Sequence, residues 1–223
     1  FADSKQSIKY SPYYSKTRIS NLVIDNLKAK GFVVSKNELN VNKRMPALAT
    51  LICNKYGIEY SQAIRTVHNA ISEAFNGKYS SYSYADDTRS LDLDWSKNFM
   101  SFYKKSSASL LSTNNILNVG VGGGLEAKTL FSNCTHITFV DVAQAGLEKI
   151  KEVFPSSKAV VSSADNLSSI PDNSHDLYVS LRTYNSSFFD IRGAISEAHR
   201  VLKPGAVIIV SVANGFLYPE QNC

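Results

Sequence analysis

Residues 114–126 read NNILNVGVGGGLE, an apolar stretch that runs into four glycines. Three of these glycines alternate, at Gly120, Gly122 and Gly124, which is the pattern of a tight turn whose backbone can approach a bound ligand closely. A strand that leads into such a turn and then into a helix is typical of ligand-binding α/β folds. The stretch therefore predicts the fold class and also the place where a ligand would lie.

The sequence after this turn alternates between strand-like and helix-like segments. The predicted strands are NNILNVG, THITFVDV, KAVVSSAD, HDLYVSL and AVIIVSVA, and the predicted helices between them are GLEAKTLFSN, AQAGLEKIKEVFP and DIRGAISEAHRVLK. This alternation predicts an α/β fold with a doubly wound parallel sheet. Ligands of such sheets bind beyond the carboxyl ends of the strands, and the glycine turn follows the first predicted strand.

The first 90 residues carry the basic charge of the chain, whose net charge is +5. They contain 13 Lys and Arg against 7 Asp and Glu, whereas residues 91–223 contain 11 against 12. This asymmetry predicts two regions, a basic helical region with a linker over 1–90 and an α/β core over 91–223.

Apolar spacing in the basic region predicts three helices. They are expected over 18–32, from Pro46 to Gly57, and from an N-cap at Ser61 to a stop at Gly77. The Ser- and Tyr-rich segment 77–90 predicts a linker, and a further helix is expected over 94–111.

The composition argues against membrane and secreted classes. No run of about 18 apolar residues exists, and the polar N-terminus lacks the pattern of a secretory signal. The three cysteines, Cys53, Cys134 and Cys223, are widely spaced and form no metal-ligand pattern. We therefore expect a cytoplasmic protein with reduced thiols, no membrane partner and no metal.

Two phosphate-bearing ligands fit the glycine turn poorly. A nucleoside triphosphate loop needs Gly-Lys-Ser/Thr, but Gly124 is followed by Leu125 and Glu126. A dinucleotide turn needs a third glycine where Leu125 stands, and the carboxylate of Glu126 would repel a pyrophosphate at the start of the helix. A ligand without phosphates avoids both difficulties.

The sequence from Asn118 to Gly124, together with Asp141, Asp165 and the turn Lys203-Pro204-Gly205, resembles the class I S-adenosylmethionine-dependent methyltransferases over about residues 95–215. The first motif of that family is an acidic residue followed by x-Gly-x-Gly-x-Gly. The resemblance implies a Rossmann-like methyltransferase core, S-adenosylmethionine as the cofactor and methyl transfer as the reaction.

The resemblance also implies a set of donor-binding residues. Asp141 ends the second strand, 21 residues after Gly120, where a carboxylate can accept hydrogen bonds from a ribose diol. Asp165 matches the residue that accepts from the adenine amino group. Two alternatives stay open, an N-cap role for Asp141 and an ordinary loop position for Asp165. The complete expected set is Asn118, Gly120, Gly122, Gly124, Asp141, Val142, Ala164, Asp165 and Ser180.

Two features depart from the family pattern. Asn118 stands where an acid is expected, so it brings no negative charge to the ammonium end of the donor. The sequence given ends in NGFLYPEQNC, whereas the family fold normally continues with a helix and an antiparallel pair of strands. Either the sequence is a fragment or its end is replaced by something else, and we expect a core that lacks the last strands.

The methyl acceptor is expected against the loop after the fourth strand, which reads SLRTYNSSFFD over 180–190. Arg182 could hold an anionic group, Tyr184 could stack or donate, and Asn185 could orient the acceptor. The alternative is that Arg182 and Tyr184 only pack and solvate the loop. The catalytic residues, the oligomeric state and the acceptor itself are not determined by the sequence.

Three functions remain open at this point. The first is methyl transfer to a nitrogen or oxygen of a nucleic acid, since the basic region and its tyrosines could bind a backbone and stack bases; the tyrosines are Tyr10, Tyr13, Tyr14, Tyr79, Tyr82 and Tyr84. The second is methyl transfer to a small molecule, with the N-terminal helices as a lid. The third is a non-catalytic module that binds S-adenosylmethionine and a partner.

Overall fold

A computed structural model describes residues 16–80, 115–132, 134–181, 183–184 and 188–211. The predicted helix over 94–111, most of the predicted linker, Cys223 and the expected end of the core lie outside these residues. Arg182 and Asn185 also lie outside them.

The N-terminal region is helical, as predicted. Its helices are α1 (Lys16–Ala29), α2 (Lys36–Val41), α3 (Met45–Tyr56) and α4 (Tyr60–Ser80). They share one core, in which Leu27, Leu48 and Val67 are fully buried. Gly57 ends α3 with a φ of 64°, the left-handed conformation that glycine adopts at a helix C-terminus.

Two details of the predicted helices are wrong. Ser61 lies inside α4 and Gly77 does not stop it, because α4 runs on to Ser80. A single glycine inside a helix costs only about 1 kcal/mol, which tertiary packing offsets. In addition, α2 was not predicted, although Ser35 and Glu38 form a capping box whose pattern is readable in the sequence.

The remainder of the described chain forms a five-stranded sheet, and every pairing in it is parallel. The sheet order is β3-β2-β1-β4-β5, which confirms the predicted doubly wound topology. The elements in chain order are β1 (Ile116–Val119), α5 (Leu125–Leu130), β2 (Ile137–Asp141), α6 (Gln144–Val153), β3 (Lys158–Val161), β4 (His175–Ser180), α7 (Ile191–Val201) and β5 (Leu202–Val210).

The central strand β1 is buried along its whole length because helices cover both faces of the sheet. Ile116 packs on the side of α5 and α6. Leu117 and Val119 pack on the opposite side, against α7 and the loop after β3. Since side chains alternate along a strand, Asn118 lies on the α5 and α6 side.

The segment Lys203-Pro204-Gly205 is not the separate turn that the sequence predicts. Helix α7 ends at Val201 and β5 begins at Leu202. The pairing with β4 shifts between His175 and Leu177, which face Leu202 and Val207. The three residues therefore lie in an irregular first part of β5, where Gly205 takes a φ of 79°.

The helical region and the sheet contact each other at the loop after β4. The amide of Met45 donates to the carbonyl oxygen of Phe188 over 2.8 Å. The ring of Phe188 meets that of Phe75 edge to face, with the centroids 6.1 Å apart. Phe188 thus belongs to the helical core, although it lies between β4 and α7 in the sequence.

Candidate functional site

The glycine turn lies at the carboxyl end of β1, as predicted. Gly120, Gly122 and Gly124 have φ values of 73°, 56° and 81°, a region that other residues rarely adopt. The amide of Gly120 donates to the carbonyl oxygen of Val140 over 2.7 Å, which ties the turn to the end of β2. The sequence therefore needs glycine here for its conformation as well as for any ligand.

One side of the turn is filled by the loop after β4. A Cβ atom at Gly120 would lie 2.1 Å from Oγ1 of Thr183. This hydroxyl donates to the carbonyl oxygen of Gly120 over 3.1 Å. No local sequence pattern predicts that Thr183 contacts the glycine turn, because only the tertiary structure brings these two loops together.

Asp141 holds the glycine turn in place. Its Oδ2 accepts from the amide of Gly122 over 2.8 Å, and its Oδ1 accepts from the amide of Ala143 over 2.9 Å. Burial raises the pKa of Asp141, while these two amides and the nearby charge of Lys78 act in the opposite direction. Ala143 rather than Asp141 is the N-cap residue of α6, so the simple N-cap alternative is wrong.

Asn118 is buried on β1, with 6% of its surface exposed. Among the residues that the structure describes, none forms a hydrogen bond with its side-chain amide. A buried amide without a partner is costly, and it marks a place where a ligand could supply the missing hydrogen bonds. This observation agrees with a donor-binding role, which stays a prediction.

Three other residues of the expected set also lie at this edge. Ser180 ends β4, is fully buried and donates through Oγ to the carbonyl oxygen of Val119 over 2.9 Å. Ala164 is buried beyond β3. Val142 follows β2, and its carbonyl oxygen accepts a hydrogen bond from the hydroxyl of Ser72 on α4.

Asp165 has a structural partner for each of its oxygens. The hydroxyl of Ser163 bonds to Oδ1, and the amide of Asp190 donates to Oδ2 over 2.7 Å. Asp190 is in turn the N-cap of α7. Asp165 therefore anchors the start of α7, and since a carboxylate oxygen has two lone pairs it can still accept from an adenine amino group.

Of the three acceptor candidates, the structure describes only Tyr184. Its side chain is 7% exposed and packs edge to face on Phe189, with the centroids 5.1 Å apart. Its hydroxyl lies 3.1 Å from that of Tyr178, and burial raises the pKa of Tyr184. The packing alternative therefore describes its present position, and contact with an acceptor stays a prediction.

Helix α4 covers the other side of the glycine turn. The Oγ of Ser72 donates to the carbonyl oxygen of Val142 over 2.6 Å, and Oδ1 of Asn76 accepts from the amide of Ala145 over 3.0 Å. One turn further on, the hydroxyl of Tyr79 lies 2.5 Å from where a Cβ atom at Gly122 would be. No local sequence signal predicts these contacts.

Tyr79 is consequently not a surface platform for nucleic-acid bases. It is 8% exposed and packs with Ala143 in a small cluster of its own. The other five tyrosines of that prediction lie outside the residues that the structure describes.

The sequence of this core matches the model of a known family. Residues 117–210 match the family described as "Methyltransferase domain". Over these residues the chain is similar in sequence to that family. This similarity agrees with the methyltransferase core and the S-adenosylmethionine cofactor that the resemblance implied.

Solved structures with a similar fold share little sequence with this chain. The YcgJ protein of Bacillus subtilis is 22% identical, with a TM-score of 0.43, over 51% of this chain and 50% of that one. A methyltransferase of Thermotoga maritima, described as a possible histamine N-methyltransferase, is 21% identical, with a TM-score of 0.49, over 66% and 67%. An S-adenosylmethionine-dependent methyltransferase of Aquifex aeolicus is 16% identical, with a TM-score of 0.45, over 61% and 84%.

The chain spans about half the length of the Bacillus subtilis protein. No curated protein matches this chain in sequence. Within the described residues, no helix is long and apolar enough to cross a membrane, and no group of His, Cys, Asp and Glu could hold a metal ion.

The residues of the site fit S-adenosylmethionine in their chemistry. The glycines of the turn place no side chains against a ligand, and the side-chain amide of Asn118 has no hydrogen-bond partner among the described residues. Asp141 ends β2 and Asp165 follows β3, the two strands on one side of β1. The space for a ligand is narrow, because the ring of Tyr79 lies over Gly122. Asp141 is also only 7% exposed.

Proposed function

We propose that this protein is an S-adenosylmethionine-dependent methyltransferase that acts on a nucleophilic nitrogen or oxygen of a small molecule. The observation that carries the acceptor class is the packing of α4 over the glycine turn through Ser72, Asn76 and Tyr79. A lid of this kind suits an enclosed pocket for a small acceptor better than an open groove for a polymer.

The donor would be held by the buried edge of the sheet. The amide of Asn118 would bond the amino-acid part of the donor, Asp141 would accept from the ribose, and Asp165 would accept from the adenine. Gly122 would let the donor lie against the backbone. Val142, Ala164 and Ser180 would line the same edge.

When bound, S-adenosylmethionine supplies a methyl group on a positively charged sulfur. The acceptor bonds to the methyl carbon in line with the carbon–sulfur bond, and the sulfur leaves with the electron pair of that bond. The chain's contribution is to hold the acceptor opposite that methyl group, an effect worth roughly 7–11 kcal/mol for well-oriented groups. The loop after β4 is placed for this task because Thr183 already contacts Gly120. A dedicated base is needed only for an acceptor that is protonated at the working pH.

The described part of the basic region gives less support to a nucleic-acid acceptor. Lys30 pairs with Glu73 over 2.8 Å, and Lys55 pairs with Glu38 over 2.9 Å. These charges are therefore partly neutralised within the helical region itself. Tyr79, one of the tyrosines considered for base stacking, is buried as well.

The test is methyl transfer from a radiolabelled donor to separate pools of metabolites, RNA, DNA and protein. We expect label in the metabolite pool, and no dependence on added nucleic acid. Label in RNA or DNA, with transfer that weakens steeply as salt rises, would contradict the acceptor class but not the activity. Donor binding in calorimetry without methyl transfer to any pool would favour the non-catalytic module, and an absence of donor binding would contradict the proposal as a whole.

A further inference from the structure

The carboxyl-terminal turn of α4 occupies space that a donor at the glycine turn needs. Gly122 is the residue whose missing side chain lets a ligand approach, yet the hydroxyl, Cζ and Cε1 of Tyr79 lie 2.5, 2.9 and 3.3 Å from its virtual Cβ. The same ring lies 3.4 Å from the virtual Cβ of Gly146 on α6. The aromatic ring therefore lies beside the place where the turn meets α6, since the carbonyl oxygen of Gly122 is 2.5 Å from the same virtual Cβ of Gly146.

A second observation points to the same conclusion. Asp141 is the predicted partner of the ribose, but only 7% of its surface is exposed. A ribose diol must lie within about 3 Å of a carboxylate oxygen to bond with it. Only a small part of Asp141 is therefore open to a ribose in this structure.

Two hydrogen bonds made by side chains of α4 reach the segment that follows β2. Besides the contacts of the Tyr79 ring, Ser72 donates a hydrogen bond to the carbonyl oxygen of Val142, and Asn76 accepts one from the amide of Ala145. The net contribution of each of these hydrogen bonds to stability is modest, because water replaces the partner when the contact opens. Such a segment can open without unfolding the rest of the molecule.

We propose that Tyr79 is a plug of the donor site, which the donor must displace in order to bind. The proposal rests on the function proposed above, because it assumes that S-adenosylmethionine binds at the glycine turn. If the open form is the minor one, the apparent dissociation constant of the donor is raised by the reciprocal of the open fraction. The plug therefore sets donor affinity and makes the carboxyl end of α4 respond to the donor.

The first experiment measures the binding of S-adenosylmethionine and S-adenosylhomocysteine by calorimetry. For Tyr79→Ala we expect binding at least about tenfold tighter than for the wild type, because the ring no longer competes. Tyr79→Phe keeps the ring and should stay within about threefold of the wild type. Tyr60→Ala is the matched control, since Tyr60 begins the same helix and is 45% exposed.

A second pair of changes keeps the ring and loosens the turn. The double variant Ser72→Ala, Asn76→Ala removes the hydrogen bonds to Val142 and Ala145 and should also tighten donor binding. If the Tyr79→Ala protein does not fold, this double variant still tests the proposal.

Hydrogen exchange gives a readout that does not depend on catalysis. Addition of the donor should speed the exchange of amides over residues 72–80 and leave those of α3 unchanged. If the wild type binds the donor and Tyr79→Ala binds equally or more weakly, Tyr79 is a wall of the donor pocket and the plug is contradicted. If no form binds the donor, the proposed function itself fails.

Discussion

Asp141 shows how one residue can serve the fold and a ligand at once. Its two oxygens connect the glycine turn to the start of α6 through the amides of Gly122 and Ala143. The sequence predicts a carboxylate at this place for a ribose. The structure adds that the same carboxylate shapes the turn before any ligand arrives.

Replacing Asp141 should therefore reduce stability as well as donor binding. Asp141→Ala leaves two amides without their acceptors, at a cost of about 1–3 kcal/mol each when they stay buried. Asp141→Asn keeps one carbonyl oxygen and should lose less. Urea unfolding in the absence of donor measures both, and an alanine variant as stable as the wild type would contradict this structural role.

A Gly122→Val variant would lose donor binding for a structural reason as well. The positive φ of Gly122 and the hydroxyl of Tyr79 both oppose a side chain there. Such a variant would be strained before it met a donor. Loss of binding in Gly122→Val is therefore weaker support for the site than loss of binding in Asp141→Asn.

Glu38 gives the helical region a predicted pH dependence. The hydrogen bond from Lys55 and the capping amide of Ser35 lower the pKa of Glu38 from 4.5 to about 2. A lowered pKa in the folded state means that the ionised form is stabilised, so this contribution is present above pH 4.5 and is lost as the pH falls toward 2.

We expect the melting temperature of the wild type to fall between about pH 4.5 and pH 2 by more than that of Glu38→Gln. Glu148→Gln is a suitable control, because it changes another carboxylate that lies on α6, outside the helical region. Parallel curves for the wild type and Glu38→Gln would show that this carboxylate does not contribute in that window.

At the scale of elements, α7 holds the loop that carries Asp165. Arg200 donates to the carbonyl oxygens of Ile170 and Leu167 over 2.9 and 2.8 Å, and it pairs with Glu197. Glu197 in turn accepts from the amide of Leu167 over 2.6 Å. The connection between β3 and β4, which has no helix, is thus fixed by a helix that follows it in the sequence.

Substitution of Arg200 should loosen this loop. Arg200→Lys keeps the charge but cannot serve two carbonyls and a carboxylate together, because an ammonium lacks the planar fork of guanidinium. We expect a loss of about 1–3 kcal/mol in the free energy of unfolding and faster hydrogen exchange over 163–172. Arg192→Lys, at the exposed start of α7, is the matched control. Equal stability of the two variants would contradict the anchoring role.

At the scale of the molecule, the helical region and the sheet share contacts on both sides of the site. Phe188 packs in the helical core, and α4 packs on α6 and the glycine turn. The predicted division into residues 1–90 and 91–223 stays a prediction. The contacts favour one cooperative structure in which the helices and the sheet stabilise each other.

We therefore expect a single unfolding transition in calorimetry. Phe188→Ala should lower the free energy of unfolding by about 3–5 kcal/mol, the usual cost of removing a buried phenylalanine. The loss should affect helix and sheet signals together. Two resolved transitions in the wild type, with only one of them shifted by Phe188→Ala, would show that the two parts unfold independently.

The sequence alone determined the parallel α/β core, its strands and the place of the glycine turn. It could do so because these features depend on local patterns: apolar periodicity, glycine at positive φ and carboxylates directly after strands. The same locality explains why α2 could have been found from its capping box, and why the end of α4 was misplaced at Gly77.

Only the tertiary structure decided what surrounds the turn. Thr183 against Gly120, Phe188 in the helical core and Tyr79 over Gly122 join residues that are 43 or more positions apart in the chain. Such contacts depend on how whole elements pack, and no window of sequence contains both partners. For that reason the sequence predicts where the donor should bind, whereas the folded chain shows that α4 lies over that place.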